Sequence, residues 1–202
     1  MTIQEYNTNI WMFYLQLEND FYNTLGFVEF SEDNFSTYSK EYAKQLLAIG
    51  SEVDIVCKEL CKNIAPNQPR NNISTYAEVL CNYENFTSEK VIYEYTGEEF
   101  EPFRGWTSND SPRWWRAYNS VKHDRLDSDN QKKANLENVF NALAGLYMLN
   151  RFLCKKVCEG NTINEPEIKS RLFKMKGWGV TTRIGGDFAL RTRENGNMGI
   201  LV

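Results

Sequence analysis

Apolar residues recur every three or four positions along several stretches of the chain, as on helices that bury one face. The first such stretch predicts a helix over residues 10–25, which Gly26 ends. The second predicts a long helix over residues 35–64, which ends before Pro66 because proline cannot continue a helix. The first third of the chain is therefore expected to form two amphipathic helices.

Two further helices are predicted from the residues at their starts. Ser74 is expected to cap a short helix that runs through Cys81, because serine side chains accept hydrogen bonds from free N–H groups at a helix start. Pro112 fits the first position of a helix over Arg113–Arg125, with Ser111 as its cap. Both helices lie between stretches of turn-forming residues.

The last long helix is predicted from two signals. Ser128, followed three residues later by Gln131, resembles the capping box that opens a helix. An apolar stripe at helical spacing then continues from Leu136 to Val157. One uninterrupted helix is therefore expected from Ser128 to the end of this stripe.

A small β component is predicted beside the helices. β-Branched and aromatic side chains favour a strand over residues 90–95, and a turn follows it at Gly97. Residues 171–175 alternate weakly between apolar and polar types and are candidates for pairing with that strand. The predicted fold class is all-α, a bundle of four or five helices with a small β-hairpin appendage.

Length and composition fit one domain with an extension, since the chain has 202 residues of which 42% are hydrophobic. We predict a helical domain over residues 1–160, with a β insertion near residues 88–105. The Gly- and Arg-containing extension over residues 161–202 is predicted to be either β-structured or partly disordered. No apolar run reaches the roughly 18 residues of a membrane span, and no basic secretory segment opens the chain, so a cytoplasmic protein is expected.

Charge is distributed unevenly along the chain, whose net charge is −4. Residues 1–111 hold seven basic and 18 acidic side chains, whereas residues 112–159 hold nine basic and five acidic ones. Residues 160–202 hold seven basic and four acidic side chains. A basic second half attracts phosphate, but many proteins that bind no nucleic acid share this asymmetry.

The one histidine of the chain, His123, lies in the predicted helix over residues 113–125 together with several polar residues. At 100° per residue, His123 and three of these residues fall within roughly 100° of one another and share one face. This polar face consists of Arg116, Asn119, Ser120 and His123. Trp114, Tyr118 and Val121 fall on the opposite side, which predicts an apolar back that packs into the bundle.

The polar face carries groups that are able to cleave RNA without a metal ion. The Arg116 guanidinium presents a fork of donors that suits a phosphate, and an imidazole such as that of His123 exchanges protons near neutral pH. Asn119 would orient the phosphate or the imidazole. Three cations nearby are predicted to attract the nucleic-acid backbone: Arg113, Lys122 and Arg125. The same face is also compatible with a solvated surface, a dimer seam or a structural hydrogen-bond cluster.

The Arg116-x(6)-His123 spacing, directly followed by a long apolar helix, resembles the HEPN superfamily (higher eukaryote and prokaryote nucleotide-binding). Asn119-x-x-Lys122-His123 is similar to a form found in some branches, and the resemblance covers about residues 35–158. It implies a metal-independent endoribonuclease of toxin–antitoxin or phage-defence type, with a cognate antitoxin or defence partner. It also implies a homodimer in which both polar faces line one cleft.

Ala117 departs from the pattern of this superfamily, which often has a polar residue directly after the arginine. The departure implies an alternative function. The protein would then be a catalytically inactive HEPN-like dimer that binds nucleic acid, a nucleotide or a protein partner through the same groove. Neither a cofactor nor a metal ion is expected in either case.

Five cysteines in a chain without a secretory signal favour reduced thiols. Cys57 and Cys61, like Cys154 and Cys158, are four residues apart, so each pair lies about one helical turn apart. Four such thiolates are able to bind zinc or an iron–sulfur cluster. All four also fall on or beside the apolar stripes, where cysteine behaves as a small hydrophobic residue, and core positions are therefore predicted.

Overall fold

The computed structural model describes residues 1–159, 166 and 168–176, and the backbone of residues 181–184 and 187–190. The fold is mostly helical with a small three-stranded antiparallel sheet, which confirms the coarse prediction of helices with a small β-hairpin. The helices are α1 (Ile3–Tyr6), α2 (Met12–Thr24), α3 (Lys40–Ile64), α4 (Ile73–Leu80), α5 (Arg113–Asp124), α6 (Ser128–Lys132) and α7 (Leu136–Val157). Within the described residues, none of the helices combines the length and apolarity that crossing a membrane requires.

The first two predicted helices form, but each starts at a different residue than predicted. The N-terminal helical segment starts at Ile3 after a Thr2 cap, and a π-helical turn over Asn7–Trp11 joins α1 to α2. α3 starts at Lys40 because the Ser39 hydroxyl accepts a hydrogen bond from the backbone N–H of Tyr42 at 3.0 Å. The predicted start near residue 35 is therefore wrong, whereas the predicted end at residue 64 is confirmed.

Two of the predicted helix caps are wrong. Asn72, rather than Ser74, caps α4, because its side-chain oxygen accepts a hydrogen bond from the N–H of Ser74 at 3.0 Å. At α5, Pro112 occupies the cap position itself, and no side chain caps the helix. Ser111 therefore does not cap α5, although Arg113–Asp124 is helical as predicted.

The predicted last helix is two helices. The Asp127 side chain caps α6, so the predicted capping box of Ser128 and Gln131 is wrong. α6 ends at Lys132, and Asn135 then caps α7 by accepting a hydrogen bond from the N–H of Asn138 at 3.0 Å. The break matters for the candidate site, because it lets α6 fold against α5.

α5 packs on the pair of long helices α3 and α7, which also pack against each other. On each of the two long helices, α5 approaches closely at a glycine. A Cβ atom on Gly50 of α3 would lie 2.3 Å from the Tyr118 ring, and one on Gly145 of α7 would lie 3.0 Å from the Trp114 ring. The apolar back of α5 therefore fits into two positions that carry no side chain.

A three-stranded antiparallel sheet covers one end of α7. β1 (Val91–Tyr93) lies between β2 (Glu99–Phe100) and β3 (Phe173–Met175). The pairing of Val91 with Met175 confirms the predicted contact between these two segments. Further along, the backbone of β4 (Thr181–Ile184) and β5 (Asp187–Leu190) forms an antiparallel hairpin. The predicted character of the remaining extension lies outside the described residues.

A buried carboxylate joins α2 to the segment that precedes β3. Glu18 is 3% exposed, and its Oε1 accepts hydrogen bonds from the Tyr14 hydroxyl at 2.7 Å and from the Leu172 N–H at 3.1 Å. The Ser170 hydroxyl also donates to Oε1, and the Arg171 N–H donates to Oε2 at 2.9 Å. One side chain thus holds four donors from two parts of the chain that are far apart in sequence.

Candidate active site

The outer face of α5 presents the polar residues that the sequence singles out. Its back is buried through five residues: Trp114, Trp115, Ala117, Tyr118 and Val121. Arg116 and His123 are exposed on the other side, and Asn119 and Ser120 are half-buried between them. The side chains share a face because helix geometry places residues three, four and seven positions apart above one another.

His123 lies in the last turn of α5 and is exposed. Across the part of the chain that the structure describes, its imidazole makes no hydrogen bond. Both ring nitrogens are therefore available to a ligand, and neither has to break a contact inside the protein before it takes or gives a proton.

Arg116 is exposed but already paired. Its Nη1 donates to the Asp110 carboxylate and to the backbone oxygen of Ser111, both of which precede the helix. The guanidinium therefore leans toward the N-terminal end of α5, away from His123. The two residues are seven positions apart, which separates their backbones by about 10.5 Å along the helix axis. The Nε and Nη2 donors of Arg116 make no contact with any described residue and remain open to an anion.

Lys133 reaches the same face from the C-terminal end of α6. Its ammonium donates to the Ser120 hydroxyl at 3.0 Å and to the Asn130 side-chain oxygen at 2.9 Å. Ser120 in turn donates to the backbone oxygen of Arg116 at 3.0 Å, which fixes its hydroxyl. The sequence pattern missed Lys133 because the predicted single helix over α6 and α7 would have carried it away from α5. The Asp127 and Asn135 caps were the available signals for a break there.

The three cations predicted to bind nucleic acid lie away from the centre of this face. Arg113 pairs with Glu137 of α7 at 3.1 Å. Lys122 lies about 120° around the helix from Arg116, and its ammonium is 5.4 Å from the centroid of the Tyr118 ring. Arg125 occupies the C-terminal cap of α5 and is exposed. None of the three contacts Arg116 or His123.

Ala117 and the tryptophan pair of α5 belong to the core. Ala117 is 4% exposed, so the position after the arginine does not face a ligand. Trp114 is buried and donates its indole N–H to the backbone oxygen of Pro102 at 2.8 Å. Trp115 is 6% exposed. These rings stabilise the packing of α5 against the core, and neither has a face open for stacking with a nucleic-acid base.

The paired cysteines are also buried, as predicted. Cys57 and Cys61 lie in α3, and burial raises the pKa of Cys61 to about 12 and that of Cys57 well above its usual value. At the end of α7, a hydrogen bond from Cys154 lowers the pKa of Cys158. Among residues 1–159, 166 and 168–176, no three His, Cys, Asp or Glu side chains come together as metal ligands would.

Comparisons with protein-family models, with curated proteins and with solved structures find no match to this chain. The resemblance to the HEPN superfamily therefore stays a prediction that rests on Arg116, His123 and the helices around them.

Proposed function

We propose that the protein is a metal-independent endoribonuclease of HEPN type, acting in a toxin–antitoxin or phage-defence system. The observation that carries the proposal is the outer face of α5, where the exposed imidazole of His123 and the guanidinium of Arg116 share one side of a helix. No described residue makes a hydrogen bond to that imidazole. The helix is held rigidly, because its back is buried against α3 and α7. Catalytic groups on a rigid element keep the geometry that proton transfer needs.

The proposed reaction uses the ribose 2′-hydroxyl as the nucleophile. His123 removes the proton from this hydroxyl, and the oxygen attacks the adjacent phosphorus. The bond to the 5′-oxygen breaks, and the partner subunit's His123 gives a proton to that leaving oxygen. The products are a 2′,3′-cyclic phosphate and a 5′-hydroxyl. In this reaction the Arg116 guanidinium leaves the Asp110 carboxylate and turns toward His123, where it stabilises the charge on the phosphate. Asn119 orients the phosphate, and each imidazole contributes about 10² to 10⁴ in rate.

A homodimer supplies the second imidazole. Leu126 follows the C-terminal cap of α5, three residues after His123, and is 88% exposed. Tyr38, on the loop that pairs with Asn135, is 51% exposed. A second copy that covers Leu126 would bring its own α5 close to His123, which is the arrangement that the proposed dimer requires. The molar mass of the protein by light scattering checks this part of the proposal directly.

A second function is binding without cleavage, and the ion pair of Arg116 favours it. The Asp110 carboxylate and the Ser111 backbone oxygen hold Nη1 of Arg116 away from His123, so the guanidinium is not aimed at a phosphate beside the imidazole. Ala117 is buried, so it adds no polar group to the face. In this case the groove would bind nucleic acid, a nucleotide or a protein partner without chemistry.

The test is incubation of the purified protein with labelled RNA in EDTA. We expect cleavage by the wild type, a loss of about 100-fold or more in His123→Ala, and a loss in Arg116→Ala. Arg104→Ala is the matched control, because Arg104 is 82% exposed on another loop and pairs only weakly with Glu101 at 3.6 Å. Cleavage that persists in His123→Ala contradicts the nuclease. If the wild type binds RNA but does not cleave it, the second function is supported. If the wild type neither binds nor cleaves RNA, both proposed functions are contradicted.

A further inference from the structure

The short helix α6 brings a cation to the middle of the polar face of α5. The ammonium of Lys133 lies 3.0 Å from the Ser120 hydroxyl. Ser120 precedes His123 by three positions, and side chains at that spacing start about 5–6 Å apart on a helix. The ammonium therefore contacts the residue that precedes the imidazole by one helical turn on the same side of α5.

Among the residues that the structure describes, no carboxylate forms an ion pair with Lys133. Its two partners, the Ser120 hydroxyl and the Asn130 amide oxygen, are both neutral. The acidic residues of α6 are engaged elsewhere, since Asp127 accepts from the backbone N–H groups at the helix start and Asp129 pairs with Lys132 at 3.0 Å. The described contacts thus hold the Lys133 ammonium by two neutral groups, which it can exchange for a phosphate oxygen.

The other cations near His123 are less suited to this task. Arg116 is held by the Asp110 carboxylate at the far end of the face, two helical turns from the imidazole. Lys122 lies against the Tyr118 ring, outside the face. Lys132 pairs with a carboxylate, although it is adjacent to Lys133 in sequence. Position and charge together single out Lys133.

We propose that Lys133 binds the RNA phosphate at the His123 site, so that the phosphate-binding pair of one subunit comes from two helices. This inference rests on the proposed function. When RNA binds, the Lys133 ammonium donates to a phosphate oxygen in place of the Ser120 hydroxyl. Ser120 stays fixed because its hydroxyl donates to the backbone oxygen of Arg116.

The test measures binding separately from cleavage. Fluorescence anisotropy follows a labelled 2′-O-methyl RNA, which lacks the nucleophile and cannot be cleaved, across a salt series. We expect Lys133→Ala to weaken binding about fivefold or more and to reduce the dependence of log affinity on log salt by about 0.7, the loss of one phosphate contact on a single strand. Lys133→Arg is expected to restore binding. Lys132→Ala, the matched control from the adjacent position, should stay within about twofold of wild type.

The outcomes separate this inference from the nuclease proposal. Equal affinity and equal salt dependence in Lys133→Ala and Lys132→Ala overturn the phosphate site, even if the wild type cleaves RNA. Binding that depends on Lys133 in a protein that cleaves no RNA supports the phosphate site and contradicts the nuclease. Failure of Lys133→Arg to restore binding overturns a role for the charge at this position.

Discussion

Replacing Glu18 with alanine tests how strongly the C-terminal strand is held to the helices. The carboxylate is 3% exposed and accepts four hydrogen bonds, from Tyr14, Ser170, Arg171 and Leu172. Removing it leaves buried donors without an acceptor and a cavity of carboxyl size. The Tyr14 and Ser170 hydroxyls are 3.0 Å apart and can turn to one another, whereas the Arg171 and Leu172 N–H groups lose their acceptor. An unsatisfied buried donor costs about 1–3 kcal/mol, so Glu18→Ala should lower the free energy of unfolding by about 2–6 kcal/mol.

Glu18→Gln refines the prediction, because the two carboxylate oxygens have different partners. Oε1 accepts from Tyr14, Ser170 and Leu172, and an amide oxygen in its place keeps all three bonds. Oε2 accepts only from the Arg171 N–H, which would then face an NH₂ group. One hydrogen bond is lost, so we expect a smaller loss of about 1–3 kcal/mol.

Urea unfolding followed by tryptophan fluorescence measures both changes, since several tryptophans are buried in the core. Asn19→Ala is the matched control, because Asn19 is the exposed neighbour in the same helix and should change stability by about 0.5 kcal/mol at most. A loss below about 1 kcal/mol in Glu18→Ala would refute the reasoning, as would a Gln variant less stable than the Ala variant.

Two further predictions concern charges elsewhere in the chain. Asp110→Asn removes the exposed ion pair of Arg116, which is worth about 1 kcal/mol at most. Binding of 2′-O-methyl RNA should therefore tighten by up to about fivefold. Weaker binding would contradict this and would show that Asp110 positions Arg116 for the phosphate. Burial raises the pKa of the Glu52 carboxyl, so the folded state holds that proton more tightly than the unfolded one and stability falls as pH rises. Glu52→Gln should therefore raise the free energy of unfolding near pH 7 more than near pH 4, and an equal effect at both pH values would contradict this.

Periodicity predicted the helices well where burial is one-sided. α3 and α7 each carry a long apolar stripe, and α5 was predicted almost to its last residue. The first residue of each helix was harder to predict, because Asn, Ser and Asp residues lie close together before several helices. Which one caps depends on the backbone angles of the loop, and at α4 the choice fell on Asn72 rather than Ser74.

In the candidate site, too, some residues were predictable from helical periodicity and others were not. Arg116 and His123 share a face because helix geometry alone places them there, so the sequence is sufficient. Lys133 and Asp110 approach that face from loops and a short helix, and their positions follow from tertiary contacts that no periodic pattern contains. Sequence spacing therefore predicted the residues within α5 and missed those that contact it from outside.

The two glycines against which α5 packs determine where this helix holds its polar face. Gly50 and Gly145 leave room for the Tyr118 and Trp114 rings. A methyl group at position 50 would overlap the Tyr118 ring, so the ring or α5 would have to move, whereas one at position 145 would make a tight contact with the Trp114 ring. A sequence with alanine at position 50 would keep Arg116 and His123 and yet present them from a shifted helix. The position of the polar face of α5 therefore depends on residues that are not part of it, and a sequence comparison limited to Arg116 and His123 would overlook them.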